Sequence, residues 1–569
     1  MATTSGVRAA DEAPVRERPP WRPRVPGLVA WVVRLAAVFA VLDILNPAER
    51  RHHVYPRALG GVINGSVFAA AVFAAGAMLV LAGGLKRRKR RAWLFAVGAV
   101  LLGMVAHLPA HRWSVVAVNL AVLVLLLIAQ RDFTARSERT GRVAAVRVFL
   151  VMGTVSLIAG LFLTSRTAPH SALGDRLWQV VVGLLGFTPD LDFPTDVTSN
   201  VTEIALNTLG ALTALLTLLT LLAPARKPAT LSPDAEQGLR GLLQRFGGRD
   251  SLGYFALRGD KTAIFSPSGK AAVVYRVVGG VTLAAGDPLG DREAWPGAIH
   301  AWLDEADTYA WIPGVIGASE EGAIAYKRLG LDSLELGDEA VLYLDEFTLE
   351  GRSMRGVRQA VHRVKRAGYT LDVRRQRDIP PDELGEARAT AEALRGEDVE
   401  RGFSMALGRL GDPADPDLVV ARARDVAGRL VAVLTFVPWG DDGLSLDLMR
   451  RARDSENGTV EFVVAGVAQE AGRLGVTRIS LNFAVFRSVF ERGARVGAGP
   501  VLRLWHRVLL VASRWWQIES LYRANAKYQP EWVPRFLCFR RASELPRVGM
   551  AALEAEAFVQ FPRLRWLAR

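Results

Sequence analysis

A chain of 569 residues exceeds one ordinary domain, and a hydrophobic share of 50% beside 22% charged residues excludes a disordered polypeptide and requires the apolar residues to be segregated. The single cysteine, Cys538, excludes an intrachain disulfide framework and a multi-cysteine metal site; between Leu537 and Phe539 it reads as a buried structural thiol. A formal charge of +14 favours anionic partners, for which membrane phosphates and tRNA are both candidates.

Residues 1–26 are polar, Pro- and Arg-rich and predict a disordered basic tail. Apolar runs follow at Leu28 to Leu45, Gly61 to Gly84, Ala92 to His107, Trp113 to Gln130, Val146 to Thr164 and Thr202 to Leu222. Most approach the roughly 20 residues that an α-helix needs to cross a bilayer, so residues 27–223 predict a transmembrane domain of about six helices. The first run begins far from the N-terminus without a small-residue cleavage site and reads as an anchor. Basic stretches at Lys86 to Arg91, at Arg131 to Arg147 and at Arg226-Lys227 fall on one side of this arrangement, which the positive-inside rule makes cytoplasmic. Arg16, Arg18, Arg22 and Arg24 fall there too, whereas Arg50, Arg51 and Arg57 oppose the assignment. Between the last two runs, Leu177 to Phe187 is too short to span; it lies flat at the interface or re-enters.

After a linker at 224–234 the pattern changes to short alternating strands, expected at Tyr254 to Leu257, Thr262 to Phe265, Ala271 to Val278 and Val281 to Ala285, with a helix at Trp295 to Ala306 and further strands up to Leu344. Residues 235–350 form one lobe and 351–548 a second, leaving a tail at 549–569. The second lobe opens on Arg352 to Gly368, an amphipathic helix whose apolar stripe is Met354, Val357, Val361 and Val364. Its other faces carry Arg352, Arg355, Arg358, His362, Arg363, Lys365 and Arg366. A face of one sign suits phosphates of tRNA or headgroups, and equally a solvated surface. Strands are then expected at Leu418 to Arg422, Leu430 to Val437, Leu444 to Met449 and Arg478 to Phe483, with a helix at Glu461 to Arg473. Alternation places Leu444, Leu446 and Leu448 on one face of a strand and Ser445, Asp447 and Met449 on the other. Asp447 and Arg450 on one strand and Ser480 and Asn482 on another predict a polar cleft.

These segments, with Gly286-Asp287-Pro288, Arg401-Gly402-Phe403-Ser404-Met405, Asn457 to Phe462 and Ser520 to Phe536, resemble in order the C-terminal catalytic region of the lysylphosphatidylglycerol synthase (multiple peptide resistance factor) family, from about Ser232 to about Val548. Two departures stand out: Ala524-Asn525-Ala526-Lys527-Tyr528 keeps one of two lysines common in the family, and the membrane half is shorter than in members that also flip the lipid. The resemblance implies a multi-pass α-helical membrane domain followed by a cytoplasmic α/β (α+β) fold of tandem N-acetyltransferase-like lobes. It implies transfer of an aminoacyl group, lysyl foremost, from aminoacyl-tRNA to phosphatidylglycerol at the plasma membrane, giving a cationic lipid that favours resistance to cationic antimicrobial peptides. No cofactor or metal is expected. Because the chain ends at Arg569 soon after this region, a separate aminoacyl-tRNA synthetase is the expected partner.

Exchanging one ester for another demands orientation, proton transfer and charge stabilisation rather than a large driving force. Asp447, Arg450, Glu461 and Lys527 are the candidate catalytic residues; Asn482, Arg535, Phe403 and Ser404 are candidates for substrate binding; Arg355, Arg358, Arg363, Lys365 and Arg366 are candidates for tRNA or phosphate. Each has an alternative structural role: an ion pair for Asp447 with Arg450, a helix N-terminal acid for Glu461, a satisfied core amide for Asn482, and packed terminal charges for Lys527 and Arg535. The apolar segment with Trp505, Trp515 and Trp516 reads as core or as a bilayer contact. Gly493 to Gly499 lacks the Gln/Arg-x-x-Gly-x-Gly/Ala signature of an acetyl-CoA loop, since Ala494 holds its first position. No phosphate-loop, zinc-protease or serine-hydrolase motif occurs. Acyl transfer with another donor or acceptor, and a lipid transporter or interaction protein whose soluble half only binds, are the alternatives.

Overall fold

The computed structural model describes residues 27–35, 76–107, 113–133, 135, 139–186, 195–223, 230–396, 402–485 and 523–559. The expected N-terminal tail, the Gly493 to Gly499 turn and the Trp505 to Trp516 segment lie outside these residues. The chain divides into two compact units, the second running over Arg226–Arg563.

In the first unit, helices at 27–35 (α1), Gly76–Lys86 (α2), Arg90–His107 (α3), Trp113–Ile128 (α4), Arg139–Thr167 (α5), Leu173–Leu184 (α6) and Asp196–Leu221 (α7) follow the apolar runs. Among the described residues two stretches, Gly141–Thr167 and Val197–Leu221, are long and apolar enough to cross a bilayer. Two of the basic stretches, Lys86 to Arg91 and Arg131 to Arg147, meet beside the C-terminal end of α7, while Arg226-Lys227 lies outside the described residues. Arg90 donates its backbone N–H to Ala135, and buried Lys89 caps α7 by donating to the carbonyls of Leu222 at 2.5 Å and Ala223 at 3.0 Å. Ser156 and Thr213 hydroxyls bond at 3.0 Å, and Thr202 donates to Thr167 at 3.1 Å, setting α5 antiparallel to α7.

The second unit is built on one sheet. Its strands are β1 (Thr262–Phe265), β2 (Ala271–Val278), β3 (Val281–Ala285), β4 (Leu289–Gly290), β5 (Ile312–Ala318), β6 (Asp332–Tyr343), β7 (Thr370–Arg375), β8 (Val419–Arg424), β9 (Leu430–Trp439), β10 (Gly443–Arg451), β11 (Arg478–Val485) and β12 (Glu531–Phe539). Across the sheet the order is β1-β2-β3-β5-β12-β6-β11-β10-β9-β8-β7, with β4 against β2. The two lobes therefore share a sheet, and β12, last in sequence, lies between β5 and β6 of the first lobe, antiparallel to both. Tyr254 to Leu257, expected as a strand, is a 3₁₀ turn at Gly253–Leu257: a four-residue apolar run carries no periodicity to separate the two, and Phe255, Ala256 and Leu257 are all buried.

Helices cover both faces, which is why β9 is almost wholly buried. Three helices of the second lobe flank the site, in chain order α8 (Arg355–Arg366), α9 (Pro381–Arg395) and α10 (Thr459–Gln469). On one face, α8 and α10 bury Val357, Val361, Val364, Phe462 and Val463 against Leu434, Phe436 and Leu444. On the other, α9 sets Ala387 and Ala391 against Val420 and Val433. The predicted stripe of α8 is the buried one.

Candidate active site

The site begins where two strands part. β10 and β11 run parallel for three residue pairs, Gly443 with Arg478, Leu444 with Ile479 and Ser445 with Ser480. β10 then stays with β9 through a register shift between Leu446 and Leu448, while β11 stays with β6 through a shift between Ser480 and Phe483. Diverging partners open a cleft, and each strand bulges at a polar residue, Asp447 on β10 and Asn482 on β11. Asn482 has φ +68°, a left-handed conformation that asparagine tolerates better than most residues. Its Nδ2 crosses the opening to donate to the Leu446 carbonyl at 2.6 Å, and buried Asn525 donates to the neighbouring Leu481 carbonyl at 3.3 Å.

The half-buried Asp447 carboxylate accepts the backbone N–H of Leu407 at 2.6 Å and the Thr435 hydroxyl at 3.0 Å. It thus ties the 402–408 segment to the cleft. The bulge also corrects the expected alternation. Leu446 pairs with Phe436 and packs with the α8/α10 face, whereas Leu448 pairs with Thr435 and packs with the α9 face, because the extra residue at Asp447 flips the pleat. Arg450, paired with Val433, follows onto the α9 face.

Glu461 and Lys527 come together elsewhere. Glu461 lies in the first turn of α10, as the acid at a helix N-terminus, and Lys527 Nζ meets its carboxylate at 2.5 Å. The four candidate catalytic residues thus fall into two groups, Asp447 with Arg450 on β10 and Glu461 with Lys527 at the α10 terminus.

Three candidates for substrate binding are committed to the core. Arg535 is 3% exposed and bonds Asp250 at 2.8 Å, Glu339 at 2.5 Å, the Ser251 hydroxyl at 2.7 Å and the Gly317 carbonyl at 3.2 Å. The hydroxyls of Ser251 and Ser480 also donate to Glu339, so the network joins β12, β6, β11 and the turn before β1. Burial opposes the Arg535 charge, but Glu339 and Asp250 outweigh it and hold the guanidinium pKa above its ordinary value. Beside it, burial and then the Asp250 carboxylate push Asp287 up to about 7, although the Ser319 N–H and hydroxyl donate to it at 2.8 Å and 2.5 Å. Phe403 is fully buried between Lys261 Nζ at 4.7 Å and Arg276 at 4.8 Å. Ser404 is buried and donates to Glu556 through N–H and hydroxyl, at 3.0 Å and 2.5 Å. Phe403 and Ser404 anchor the segment whose Leu407 Asp447 holds. No sequence pattern marks Thr435, Glu339 or Asp250: Thr435 is a lone polar residue between Leu434 and Phe436, while Glu339 follows Asp338 and Asp250 lies between Arg249 and Ser251, where charge reads as surface.

Arg355, Arg363, Lys365 and Arg366 are exposed on α8, and none makes an ion pair among the described residues. Arg358 instead turns back to donate to the carbonyls of Leu349 at 2.5 Å and Gly351 at 3.1 Å. Among the described residues no group of three or more His, Cys, Asp and Glu side chains is placed to hold a metal.

The family model described as "Phosphatidylglycerol lysyltransferase, C-terminal" matches residues 240–539, and one described as "Transmembrane region of lysyl-tRNA synthetase" matches residues 21–222. The lysylphosphatidylglycerol biosynthesis bifunctional protein LysX of Mycobacterium avium is 44% identical over 554 residues, which is 95% of this chain and 47% of that protein. Its namesake from Mycolicibacterium gilvum is 43% identical over 578 residues, 99% of this chain and 52% of that protein. The chain thus spans about half the length of the curated relatives it matches. Among solved structures, L-PGS from Bacillus licheniformis is 24% identical, covering 58% of this chain and 97% of that chain with a TM-score of 0.49.

Proposed function

Because the chain belongs to the phosphatidylglycerol lysyltransferase family, through the match over residues 240–539, we propose that it transfers an aminoacyl group, lysyl foremost, from aminoacyl-tRNA to phosphatidylglycerol. The observation that carries this reading is that the matched region contains the parted strands with Asp447 and Asn482 at facing bulges. A glycerol hydroxyl of the lipid attacks the ester carbonyl of the aminoacyl-tRNA, the new ester forms, and the ribose oxygen leaves with the proton. Such an exchange depends on alignment and on charge at the reacting oxygens. Asp447 positions the 402–408 segment and sets a negative charge at the cleft, Arg450 meets phosphate, and Asn482 supplies an amide at the opening. The Glu461 carboxylate, which Lys527 occupies, is of the type that holds a substrate ammonium. The donor must be charged beforehand by an aminoacyl-tRNA synthetase, a partner in this scheme.

We place the soluble unit on the cytoplasmic side of a multi-pass membrane domain, where phosphatidylglycerol and tRNA meet. The meeting of the Lys86 to Arg91 and Arg131 to Arg147 stretches at one end of the first unit supports this, as does the cationic face of α8 as a phosphate surface. The product is a cationic lipid that lowers the negative charge of the membrane surface. Membranes carrying the full chain, incubated with labelled lysyl-tRNA and extracted with organic solvent, should yield label in an aminoacylated phosphatidylglycerol. Absence of labelled lipid with every charged tRNA tried would sink the proposal.

A further inference from the structure

The α5–α7 bundle contains polar side chains that the transfer reaction does not use. Gln179 on α6 is 1% exposed, and Glu203 and Asn207 on α7 are 6% and 7% exposed. Among the described residues both amide atoms of Gln179, Oε2 of Glu203 and Oδ1 of Asn207 have no hydrogen-bond partner. The other Glu203 oxygen accepts from Ser199 at a long 3.4 Å. Buried polar atoms are nearly always satisfied, and an acid within a membrane-spanning helix is retained where it meets a partner.

Helix register brings the three together. Glu203 and Asn207 are four residues apart and share a face of α7. Gly183 of α6 packs on Leu206, and a Cβ at Gly210 would fall within 1.9 Å of the Leu184 carbonyl oxygen, so α6 and α7 run parallel in close contact. One turn back from Gly183 and Leu206 lie Gln179 and Thr202, next to Glu203. The carbonyl end of α6, the negative end of its dipole, meets α7 at Gly210, less than a turn from Asn207. Arg176, one turn before Gln179, turns away to donate to the Pro169 carbonyl at 2.7 Å.

One carboxylate, two amide oxygens and a helix carbonyl end form an oxygen-rich, negative environment between parallel helices, the arrangement that suits a desolvated cation. We propose that Gln179, Glu203 and Asn207 bind a monovalent cation, an alkali ion or an alkylammonium group, within the membrane unit. Glu203 supplies the charge, while the amides and the α6 carbonyl end supply neutral oxygens. One charge matches one cation; a divalent ion would be left undercompensated in this setting.

The test is the thermal stability of the full chain in detergent, at fixed pH and ionic strength, with N-methylglucamine replaced stepwise by sodium, potassium or methylammonium. A saturable rise in Tm with one of these is expected; sodium or potassium identifies an alkali ion, methylammonium an ammonium ligand. Glu203→Gln should move the midpoint of that rise upward by about tenfold or more, since the charge that assists binding is removed. Asn207→Ala and Gln179→Ala should shift it in the same direction by less. If Glu203→Gln does not fold, the two amide variants decide, and an unshifted midpoint in both overturns the proposal. A Tm indifferent to all three cations also overturns it and leaves a water-filled polar cavity.

Discussion

At Asp447 the decisive question is whether charge or shape is used. An asparagine there keeps an oxygen for the Leu407 N–H and an amide for the Thr435 hydroxyl, so Asp447→Asn preserves the anchoring of the 402–408 segment. Single-turnover transfer per mole of folded protein should nevertheless fall by on the order of 100-fold, with Tm little changed. An active Asp447→Asn would reduce the residue to a structural anchor. Two buried groups make stability depend on pH. Asp287 titrates at about 7 rather than its ordinary 3.8, so between those values the unfolded chain has lost a proton that the fold keeps, and stability falls as pH rises. Lys261, lowered by burial and then by Arg258 from 10.5 to about 7, does the reverse: above 7 the unfolded chain holds the extra proton and stability rises. Urea denaturation from about pH 4 to about pH 10 should show a stability minimum near neutrality. Asp287→Asn should flatten its acid limb and Lys261→Met its alkaline limb.

Among the elements, α8 carries separable faces. Val357, Val361 and Val364 fix it to the sheet, while Arg363, Lys365 and Arg366 face outward without ion-pair partners among the described residues. Reversing Arg363 and Arg366 to glutamate should leave the melting curve unchanged and weaken aminoacyl-tRNA binding. The slope of log affinity against log salt should shrink by about 0.7 to 0.9 for each phosphate no longer neutralised. Equal affinity and equal slope in filter binding would assign α8 to the solvent. Arg358 does not belong to this set, because its guanidinium closes the turn before the helix.

The second unit as a whole depends on a strand that the chain supplies late. β12 fills the gap between β5 and β6 and delivers Arg535 to Glu339 and Asp250. Removing one partner of a buried pair leaves an uncompensated charge, so Arg535→Met should cost about 3 to 5 kcal/mol, whereas Arg535→Met with Glu339→Gln and Asp250→Asn together should recover part of that loss. A chain ending before Glu531 should lose cooperative unfolding of the second unit, read by tryptophan fluorescence, because β5 and β6 would both become open edges. Sharp unfolding of that truncated chain would show that the β12 slot is dispensable.

Periodicity alone suffices for much of this architecture: the apolar stripe of α8, strands β2, β3, β9 and β10, and the helices over the later apolar runs follow directly from spacing, since burial imposes the period of each element. The ordered motifs likewise point to the family. What spacing does not encode is which strands are neighbours and where a strand bulges. The place of β12 depends on pairing across the whole sheet, so Arg535 reads in sequence as a terminal charge when it is the centre of a buried network. Leu448 changes faces because one added residue at Asp447 reverses the pleat. Phe403 and Ser404 are anchors because Lys261, Arg276 and Glu556, all far from them in sequence, close around them. Local pattern sets the element because the backbone repeats every few residues; the partners of a buried charge are set by pairings between residues hundreds of positions apart, and only the folded chain brings those together.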